Sequence, residues 1–372
     1  MSSDGKATTT LRCVTPTSHR VETVLLAEPR GFCAGVEMAI KALAWMVRAF
    51  EPPVYCYHEI VHNRLVVDRF RDQGVVFVDD VSEVPPGAPL MLSAHGSAPD
   101  VVAAARADGR YVVNAVCPLV TKVHHEARVR ARKGFTVLYV GHAGHDEAIG
   151  TLAVAPDAMR LVERADDLDD VLADLGDTPV AMLAQTTLAH GEWTGILDEA
   201  RTRAGDVWTA ARNDLCFATT NRQAALTAIA ERADAVVVIG SANSSNTLAL
   251  AKVASAAGCS TVLRIDGPAE LDADALGDAR IVGVTAGASA PEELVDGVIA
   301  VLAPEQGVEL VRVTDEDEYF PPPPELRELV PALDSLAAVV FGGDPEAARS
   351  LGGAFAGDRA SDAAEMLARL DS

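Results

Sequence analysis

A short apolar run, a turn and an amphipathic stretch follow one another repeatedly along this 372-residue sequence. The segments VETVLLAEPRGFCAGVEMAIKALAWMV (21–47) and ADAVVVIGSANSSNTLALAKVA (233–254) both have this form. Short strands alternating with helices are typical of right-handed βαβ units, which build parallel sheets. The pattern predicts an α/β protein whose chemistry lies at the carboxyl ends of the strands.

Three of these units carry a cysteine where the strand ends and the helix begins. Cys33, Cys117 and Cys216 are separated by about the length of one small α/β domain each. The stretches SAHGSAPDVV (93–102) and TAGASAPEEL (285–294) also resemble each other, which supports an internal repeat. We predict three similar α/β modules in a pseudo-threefold arrangement, with the three thiols meeting at one cluster site.

The repeat also suggests where the modules begin and end. The predicted parts are a disordered leader (1–21), module 1 (22–117), module 2 (118–213), module 3 (214–303), a closing segment (304–329) and an extra tail (330–372) that is partly helical or disordered. The stretch SDAAEMLARL (361–370) is expected to form a short amphipathic helix, which packs on the body, contacts a partner or stays loose.

Composition excludes several classes of protein. The formal net charge of −23 argues against binding to a nucleic-acid backbone. The absence of an apolar leader and of a long apolar run predicts a cytoplasmic protein. No CxxC pair occurs, so a zinc-finger site is not expected. Cys13, Cys56 and Cys259 have no repeat partner and are assigned to packing or to the surface.

Polar residues cluster at the predicted strand ends. Hydroxyl and amide side chains at a helix start, as in SSN (244–246) and at Ser289, form either a plain helix cap or an anion site for phosphate or diphosphate. The histidines His58, His62, His95, His142 and His145, the acid Glu147 and the hydroxyls Thr186 and Thr187 occupy comparable loops, whereas His190 is assigned to the surface. Neither a Walker A motif nor GxGxxG is present, so a nucleotide is not indicated.

In their order, these motifs resemble one known family. The stretches PRGFCAGV, HEIVHNR, SAHG, CPLVTKVH, QTTL, ATTNRQ, NSSN and GVTAGASAP are similar to those of the 4-hydroxy-3-methylbut-2-enyl diphosphate reductase family, from about residue 22 to 329. The resemblance implies three modules around a central [4Fe–4S] cluster, with Cys33, Cys117 and Cys216 as ligands and one iron without a protein ligand. It also implies reductive dehydroxylation to isopentenyl and dimethylallyl diphosphate, the last step of the non-mevalonate pathway, with electrons from a ferredoxin or flavodoxin.

The resemblance further implies a role for each polar residue of the site. Glu147 would supply the proton, with Thr186 and His145 in its hydrogen-bond relay. The substrate-binding residues would be His62, His95, His145, Thr186, Ser244, Ser245, Asn246 and Ser289.

The chain also departs from the usual motifs of the family. Met38, Asn114, Asp146 and Ile149 stand where the family usually has a basic residue, Asp, Pro and Glu respectively. These changes leave open a divergent paralogue acting on a related allylic diphosphate, or a non-catalytic iron–sulfur redox sensor. A phosphoesterase using the histidines with a divalent metal is a third alternative, but it leaves the three cysteine turns unexplained.

Overall fold

The structure is a computed structural model that describes residues 20–173, 175–210, 214–340 and 357–370. Three sheets with helices between them confirm the predicted α/β class. Most of the leader, with Cys13, lies outside the described residues. Among the helices that are described, none has the length and apolar character needed to cross a membrane.

The strands and helices alternate along the chain. The strands are β1 (Thr23–Glu28), β2 (Val54–Tyr57), β3 (Val75–Val78), β4 (Pro89–Leu92), β5 (Tyr111–Asn114), β6 (Thr136–Val140), β7 (Met159–Val162), β8 (Val180–Ala184), β9 (Val207–Trp208), β10 (Ala235–Ile239), β11 (Thr261–Ile265), β12 (Ile281–Ala286) and β13 (Val308–Arg312). The helices are α1 (Ala34–Ala49), α2 (Arg64–Asp72), α3 (Pro99–Ala105), α4 (Pro118–Arg132), α5 (Asp146–Leu152), α6 (Leu168–Leu172), α7 (His190–Ala204), α8 (Phe217–Ala230), α9 (Ser245–Ala256), α10 (Glu292–Leu302), α11 (Pro324–Val340) and α12 (Ala363–Ala368).

The strands form three parallel sheets with the orders β3-β2-β4-β5, β7-β6-β8-β9 and β11-β10-β12-β1-β13. The first strand of the chain therefore lies in the last sheet, where Val24 pairs with Val282 of β12 and with Val308 of β13. The module boundaries at residues 117 and 213 stay a prediction. What the sheets show is that the Cys33 turn, which follows β1, is carried by the same sheet as the loops after β10 and β12.

The central strands are buried on both faces. Every residue of β6, β8 and β10 is buried. In β10, Val236 and Val238 pack with α8 and α9, whereas Val237 and Ile239 pack with α10. Because helices cover both faces of such a sheet, its strands are continuous apolar runs rather than alternating ones.

The C-terminal tail returns to the first half of the protein. Helix α12 lies in the stretch predicted to be an amphipathic helix, and its Met366 and Leu367 join a hydrophobic core that includes much of α1. Ahead of α12, the buried Lys41 of α1 forms an ion pair of 3.1 Å with the buried Asp358. The hydroxyl of Tyr319 donates to the same carboxylate at 2.9 Å. Of the three alternatives for the tail, the structure has the one in which it packs on the body.

Candidate active site

Each repeated cysteine immediately precedes a helix. Cys33 lies before α1, Cys117 before α4 and Cys216 before α8. Proline after Cys117 suits the first position of α4, where its missing N–H is not needed. The sequence pattern of strand, cysteine and helix is thus built three times.

The three turns share a second feature that the sequence did not reveal. Each cysteine donates its backbone N–H to a carbonyl in a loop that follows a different strand. The acceptors are Ala288 after β12 at 3.2 Å for Cys33, Ala94 after β4 at 3.0 Å for Cys117 and Thr186 after β8 at 3.1 Å for Cys216. Two of the acceptors, Ala288 and Ala94, directly precede the predicted site residues Ser289 and His95. The third acceptor, Thr186, is itself a predicted site residue. One hydrogen bond per module therefore places a thiol next to a loop that was predicted to bind substrate.

The three thiols line one cavity, part of which is open to solvent. All the other predicted site residues line it too: His62, His95, His145, Glu147, Thr186, Ser244, Ser245, Asn246 and Ser289. Thr187 also lies on the cavity wall, whereas His190 is exposed outside it. Cys56 and Cys259 are buried in separate hydrophobic cores, as their assignment to packing requires.

Glu147 is held at the centre of a small hydrogen-bond network. It is 2% exposed, and Thr186 donates to it twice, from its N–H to Oε1 at 2.8 Å and from its hydroxyl to Oε2 at 2.9 Å. The hydroxyl of Tyr139 also donates to Oε1, at 3.4 Å. Burial raises the pKa of Glu147 to about 7, although the hydrogen bonds from Thr186 and Tyr139 oppose that rise. A carboxyl group that titrates near neutral pH can give and take a proton under ordinary conditions.

Three histidines on the cavity wall face one another. The rings of His62 and His95 are stacked with centroids 4.0 Å apart, and His145 approaches them edge-on at 5.4 and 6.0 Å. Nδ1 of His145 accepts the N–H of Glu147 at 3.1 Å, so in the neutral ring the hydrogen is on Nε2. Burial lowers the pKa of His145 to about 4 and that of His95 well below its usual range. An anionic ligand would reverse this effect, because it stabilises the protonated imidazoles.

Asp146, which departs from the usual family motif, binds a histidine that had no assigned role. One carboxylate oxygen lies 2.8 Å from Nδ1 of His58, and the other lies 3.8 Å from Nδ1 of His95. The hydrogen bond to Asp146 raises the pKa of His58. His62, His95 and Asp146 bring ligand atoms within 4.8 Å of one another, an arrangement that could also hold a metal ion. Because Asp146 is already paired with His58, we assign it first to orienting the histidines.

The anion site predicted at SSN lies at the start of α9. Ser244 caps this helix by accepting the N–H of Thr247, and Asn246 accepts the N–H of Ala288 at 2.9 Å. Ser289 donates its hydroxyl to the carbonyl of His62 at 2.9 Å, which ties the anion site to the histidines. The hydroxyl of Ser245 is joined to Gln185 and Thr187, each at 2.9 Å. Free N–H groups at the start of a helix, together with hydroxyls and imidazoles, suit a phosphate or diphosphate.

Gln185, Tyr139 and Phe320 also belong to the site, although none was selected from the sequence. Gln185 organises the Ser245 and Thr187 hydroxyls, Tyr139 contacts Glu147, and Phe320 lies on the cavity wall. Gln185 opens the QTTL motif that was quoted for the resemblance, so a signal was present there. Tyr139 lies inside an apolar strand, and Phe320 follows an acidic run, so neither had a local signal.

The arrangement of the thiols fits a cluster with three protein ligands. A Cβ atom at Gly35 would come 2.8 Å from Sγ of Cys117 and 3.9 Å from Sγ of Cys33, so the absence of a side chain there keeps space open between two thiols. Burial raises the pKa of the Cys216 thiol to about 12 and that of Cys117 above its usual range. Thiols of this kind become thiolates when a cationic group binds them.

Comparison with known proteins supports the resemblance. The model of the family described as "LytB protein" matches residues 24–303. The chain is 45% identical over 306 residues to a 4-hydroxy-3-methylbut-2-enyl diphosphate reductase of Rhodopirellula baltica, covering 82% of this chain and 95% of the relative. It is 44% identical to the reductase of the same name from Mycobacterium ulcerans, covering 84% of this chain and 93% of that one.

A solved structure has the same fold. The E-1-hydroxy-2-methyl-but-2-enyl-4-diphosphate reductase of Plasmodium falciparum superposes with a TM-score of 0.81 at 28% identity, covering 85% of this chain and 99% of that one. The matched region contains all three cysteine turns and every residue predicted for the site. The chain therefore belongs to the LytB family.

Proposed function

We propose that this protein is an iron–sulfur enzyme that reduces 4-hydroxy-3-methylbut-2-enyl diphosphate to isopentenyl and dimethylallyl diphosphate. Overall, the carbon–oxygen bond of the allylic alcohol breaks, two electrons and two protons are consumed, and water leaves. One observation carries the proposal: a single cavity is lined by three thiols, by a predicted anion site and by the buried carboxyl group of Glu147, whose pKa is about 7. The relatives named above for this reaction support the choice of substrate.

Cys33, Cys117 and Cys216 would hold a [4Fe–4S] cluster in this enzyme. When bound, such a cluster would supply the two electrons one at a time and offer a Lewis-acidic iron to the substrate hydroxyl. The electrons would come from a ferredoxin or flavodoxin, because the sequence holds no flavin motif of its own.

The residues around the cavity would bind and orient the diphosphate. His62, His95 and the loops at Ser244–Asn246 and Ser289 would surround its oxygens. A histidine that becomes protonated on binding would give a charge-assisted hydrogen bond, which is about twice as strong as a neutral one. Such bonds would offset the net charge of −23, which otherwise disfavours an anionic substrate.

Glu147 would provide the proton that converts the hydroxyl into a leaving water. Its carboxyl group is fixed by Thr186 on both oxygens, so the proton is presented from one defined position. The Thr186 hydroxyl would accept a proton from Glu147 while it passes the hydroxyl proton to the substrate. His145 is anchored to the same turn, because its ring accepts the N–H of Glu147. General acid catalysis of this kind typically accelerates a reaction by about 10² to 10⁴.

Anaerobic turnover of the substrate by reconstituted protein, with reduced methyl viologen as donor, tests the proposal. Glu147→Gln should keep its iron and lose about 10² to 10⁴ in turnover. Cys117→Ser should lose both iron and turnover, whereas Cys259→Ser, a buried cysteine outside the cavity, should keep both. If wild-type protein binds four irons and makes neither product, the proposed reaction is wrong, and a sensor or another allylic diphosphate takes its place.

A further inference from the structure

One face of α4 is basic although the chain as a whole is strongly acidic. The sequence has 54 acidic and 31 basic residues, yet residues 118–135 contain five Lys or Arg and a single acid, Glu126. We define the basic face as the exposed residues Lys122, His125, Arg128, Arg132 and Lys133. Arg130 is not part of it, because this side chain pairs with Glu126 and lies over the ring of Trp208.

The fold itself accounts for only part of this charge. Cations in the last turn of a helix are stabilised by its dipole, which explains Arg132 and Lys133. Arg128 and His125 lie before that turn, and no acidic residue in the described ranges pairs with either of them. Lys122 lies 3.6 Å from the buried Asp214 but is itself 45% exposed. Apart from Lys122, which pairs with Asp214, the basic face is therefore not neutralised by an acidic partner among the described residues.

The basic face begins next to a proposed cluster ligand. Helix α4 starts directly after Cys117, and its first residue, Pro118, is exposed. The residues that flank the other two cysteines are half-buried or buried: Phe32, Ala34, Leu215 and Phe217. With a rise of about 1.5 Å per residue, Lys122 lies roughly 7 Å and Arg128 roughly 17 Å along the helix from Cys117. A protein seated on this face would be close to the cluster.

Near the other two cysteine turns, the acidic residues are paired with arginines. Glu316 bonds to Arg222 at 3.0 Å, and Arg222 in turn holds the carbonyls of Gly31 and Phe32 beside Cys33. Asp315 and Asp317, on either side of Glu316, are 84% and 98% exposed in their side chains, and they pair with Arg312 at 3.1 Å and with Arg359 at 3.6 Å. Glu316 also bonds to Asn221 of α8, the helix that begins at Cys216. These charges are thus largely compensated, whereas the exposed cations next to Cys117 that lack an acidic partner would attract an acidic protein.

We propose that the basic face of α4 is the docking surface for a small acidic electron-transfer protein. The inference rests on the proposed function, and it names the side from which electrons arrive. Each encounter oxidises one donor molecule and delivers one electron past Cys117, so two encounters supply one dehydroxylation. Complementary charge of this kind raises the association rate and selects the orientation of the donor. An extended polyanion such as DNA would also meet the negative charge of the remaining surface.

Steady-state turnover with two donors tests the inference. Reduced methyl viologen needs no docking surface, whereas an acidic plant-type [2Fe–2S] ferredoxin does. In the double variant Arg128→Glu/Arg132→Glu we expect KM for ferredoxin to rise at least tenfold while kcat with viologen is unchanged. The matched control, Arg160→Glu/Arg201→Glu, changes the net charge equally at exposed sites elsewhere and should alter KM less than twofold.

Calorimetric binding of oxidised ferredoxin to the holoenzyme gives a second readout that needs no turnover. Binding should weaken with added salt in wild type and be lost in the α4 variant only. Equal binding by wild type and this variant, or equal losses in both double variants, would overturn the inference, as would binding of duplex DNA without binding of ferredoxin. If wild-type protein fails with viologen as well, the proposed function fails, while the binding comparison still decides the docking surface.

Discussion

Burial raises the pKa of Glu147 to about 7, whereas the two hydrogen bonds from Thr186 act in the opposite direction. In its proposed role as proton donor, Glu147 would act in its protonated form, so kcat should fall as the pH rises through about 7. Thr186→Val removes the hydroxyl that favours the carboxylate, and the pKa of Glu147 should rise further. Because Thr186 is also proposed to pass the proton on, kcat should be much lower in this variant, and the falling limb of the remaining activity should move to higher pH.

The pH profile of viologen-driven turnover between pH 5.5 and 9 checks this expectation. Glu147→Gln should show low activity without the limb, because no titrating proton donor remains. A limb that stays in place or moves to lower pH in Thr186→Val would show that another group controls it.

Gly35 offers a test of the thiol site that does not depend on turnover. In Gly35→Ala, the new Cβ would lie 2.8 Å from Sγ of Cys117, closer than such atoms approach in folded proteins. The thiol must therefore move, and we expect the variant to bind less than half the iron of wild type after reconstitution. Gly195 of α7 provides the control, because it is exposed and no atom lies within 4 Å of the position that a methyl group would take there. Gly195→Ala should therefore keep its full iron content. Iron analysis and the visible absorbance of the cluster measure both.

That the selected residues would converge could be predicted because they lie in short motifs at or near the ends of strands, while their roles stay a prediction. The cavity brings together all twelve that had been selected, from Cys33 to Ser289. The contacts between them were not predictable in the same way. The pairing of Asp146 with His58, and the bond from Tyr139 to Glu147, depend on how separate loops and strands meet, which no local pattern encodes.

Among the elements, α8 holds the backbone beside a cysteine that it does not itself follow, Cys33. Arg222, buried within this helix, donates to the carbonyls of Gly31 and Phe32 and pairs with Glu316. Replacing it with Met leaves those carbonyls and Glu316 without their partner. A buried carbonyl that loses its donor typically costs about 1 to 3 kcal/mol, whereas Glu316 is 16% exposed and keeps its bond to Asn221. We expect Arg222→Met to lower the midpoint of urea unfolding and to reduce iron retention.

Arg232 provides the matched comparison, since it follows α8 and pairs with Glu309 at the surface. An exposed pair of this kind contributes about 0 to 1 kcal/mol. Arg232→Met should therefore leave the unfolding midpoint and iron content close to wild type. Equal effects of the two substitutions would contradict the role given to Arg222.

The order of the elements was largely evident from the apolar runs, but their assembly into sheets was not. Periodicity predicts that VETVLLAE is a strand, yet it does not say which strands lie beside it. The structure places β1 between β12 and β13 rather than in the sheet of β2–β5. Partners more than two hundred residues away leave no trace in a local pattern.

On the scale of the whole molecule, the C-terminal tail is part of the hydrophobic core of the first half. Ending the chain before Gly357 would remove Asp358 and expose the core residues that α12 covers. Lys41, whose ammonium group contacts Asp358 and the carbonyl of Ser361, would lose these partners and become accessible to water, so the main loss is that of apolar packing. We expect the truncated protein to unfold at a clearly lower urea concentration than the full chain.

A second substitution separates the loss of the ion pair from the loss of apolar packing. Lys41→Met in the truncated chain breaks no ion pair, because Asp358 is gone, and should change the stability little. In the full chain the same substitution leaves Asp358 without Lys41 and should destabilise. Lys41→Met with the same effect in both backgrounds would show that the tail does not act through this pair.

The position of β1 also determines the order in which the three sheets can fold during synthesis. The chain is made from its N-terminus, and the strands of the β2–β5 and β6–β9 sheets leave the ribosome long before β12 and β13. Those two sheets can close during synthesis, whereas β1 must wait for residues 281–312 before either neighbour exists. Cys33 follows β1, so the first cysteine of the site to be synthesised is among the last to reach its place. A cluster would then be inserted only after synthesis of residues 281–312. Until β12 and β13 pair with β1, this strand would be exposed to chaperones and to incorrect pairing.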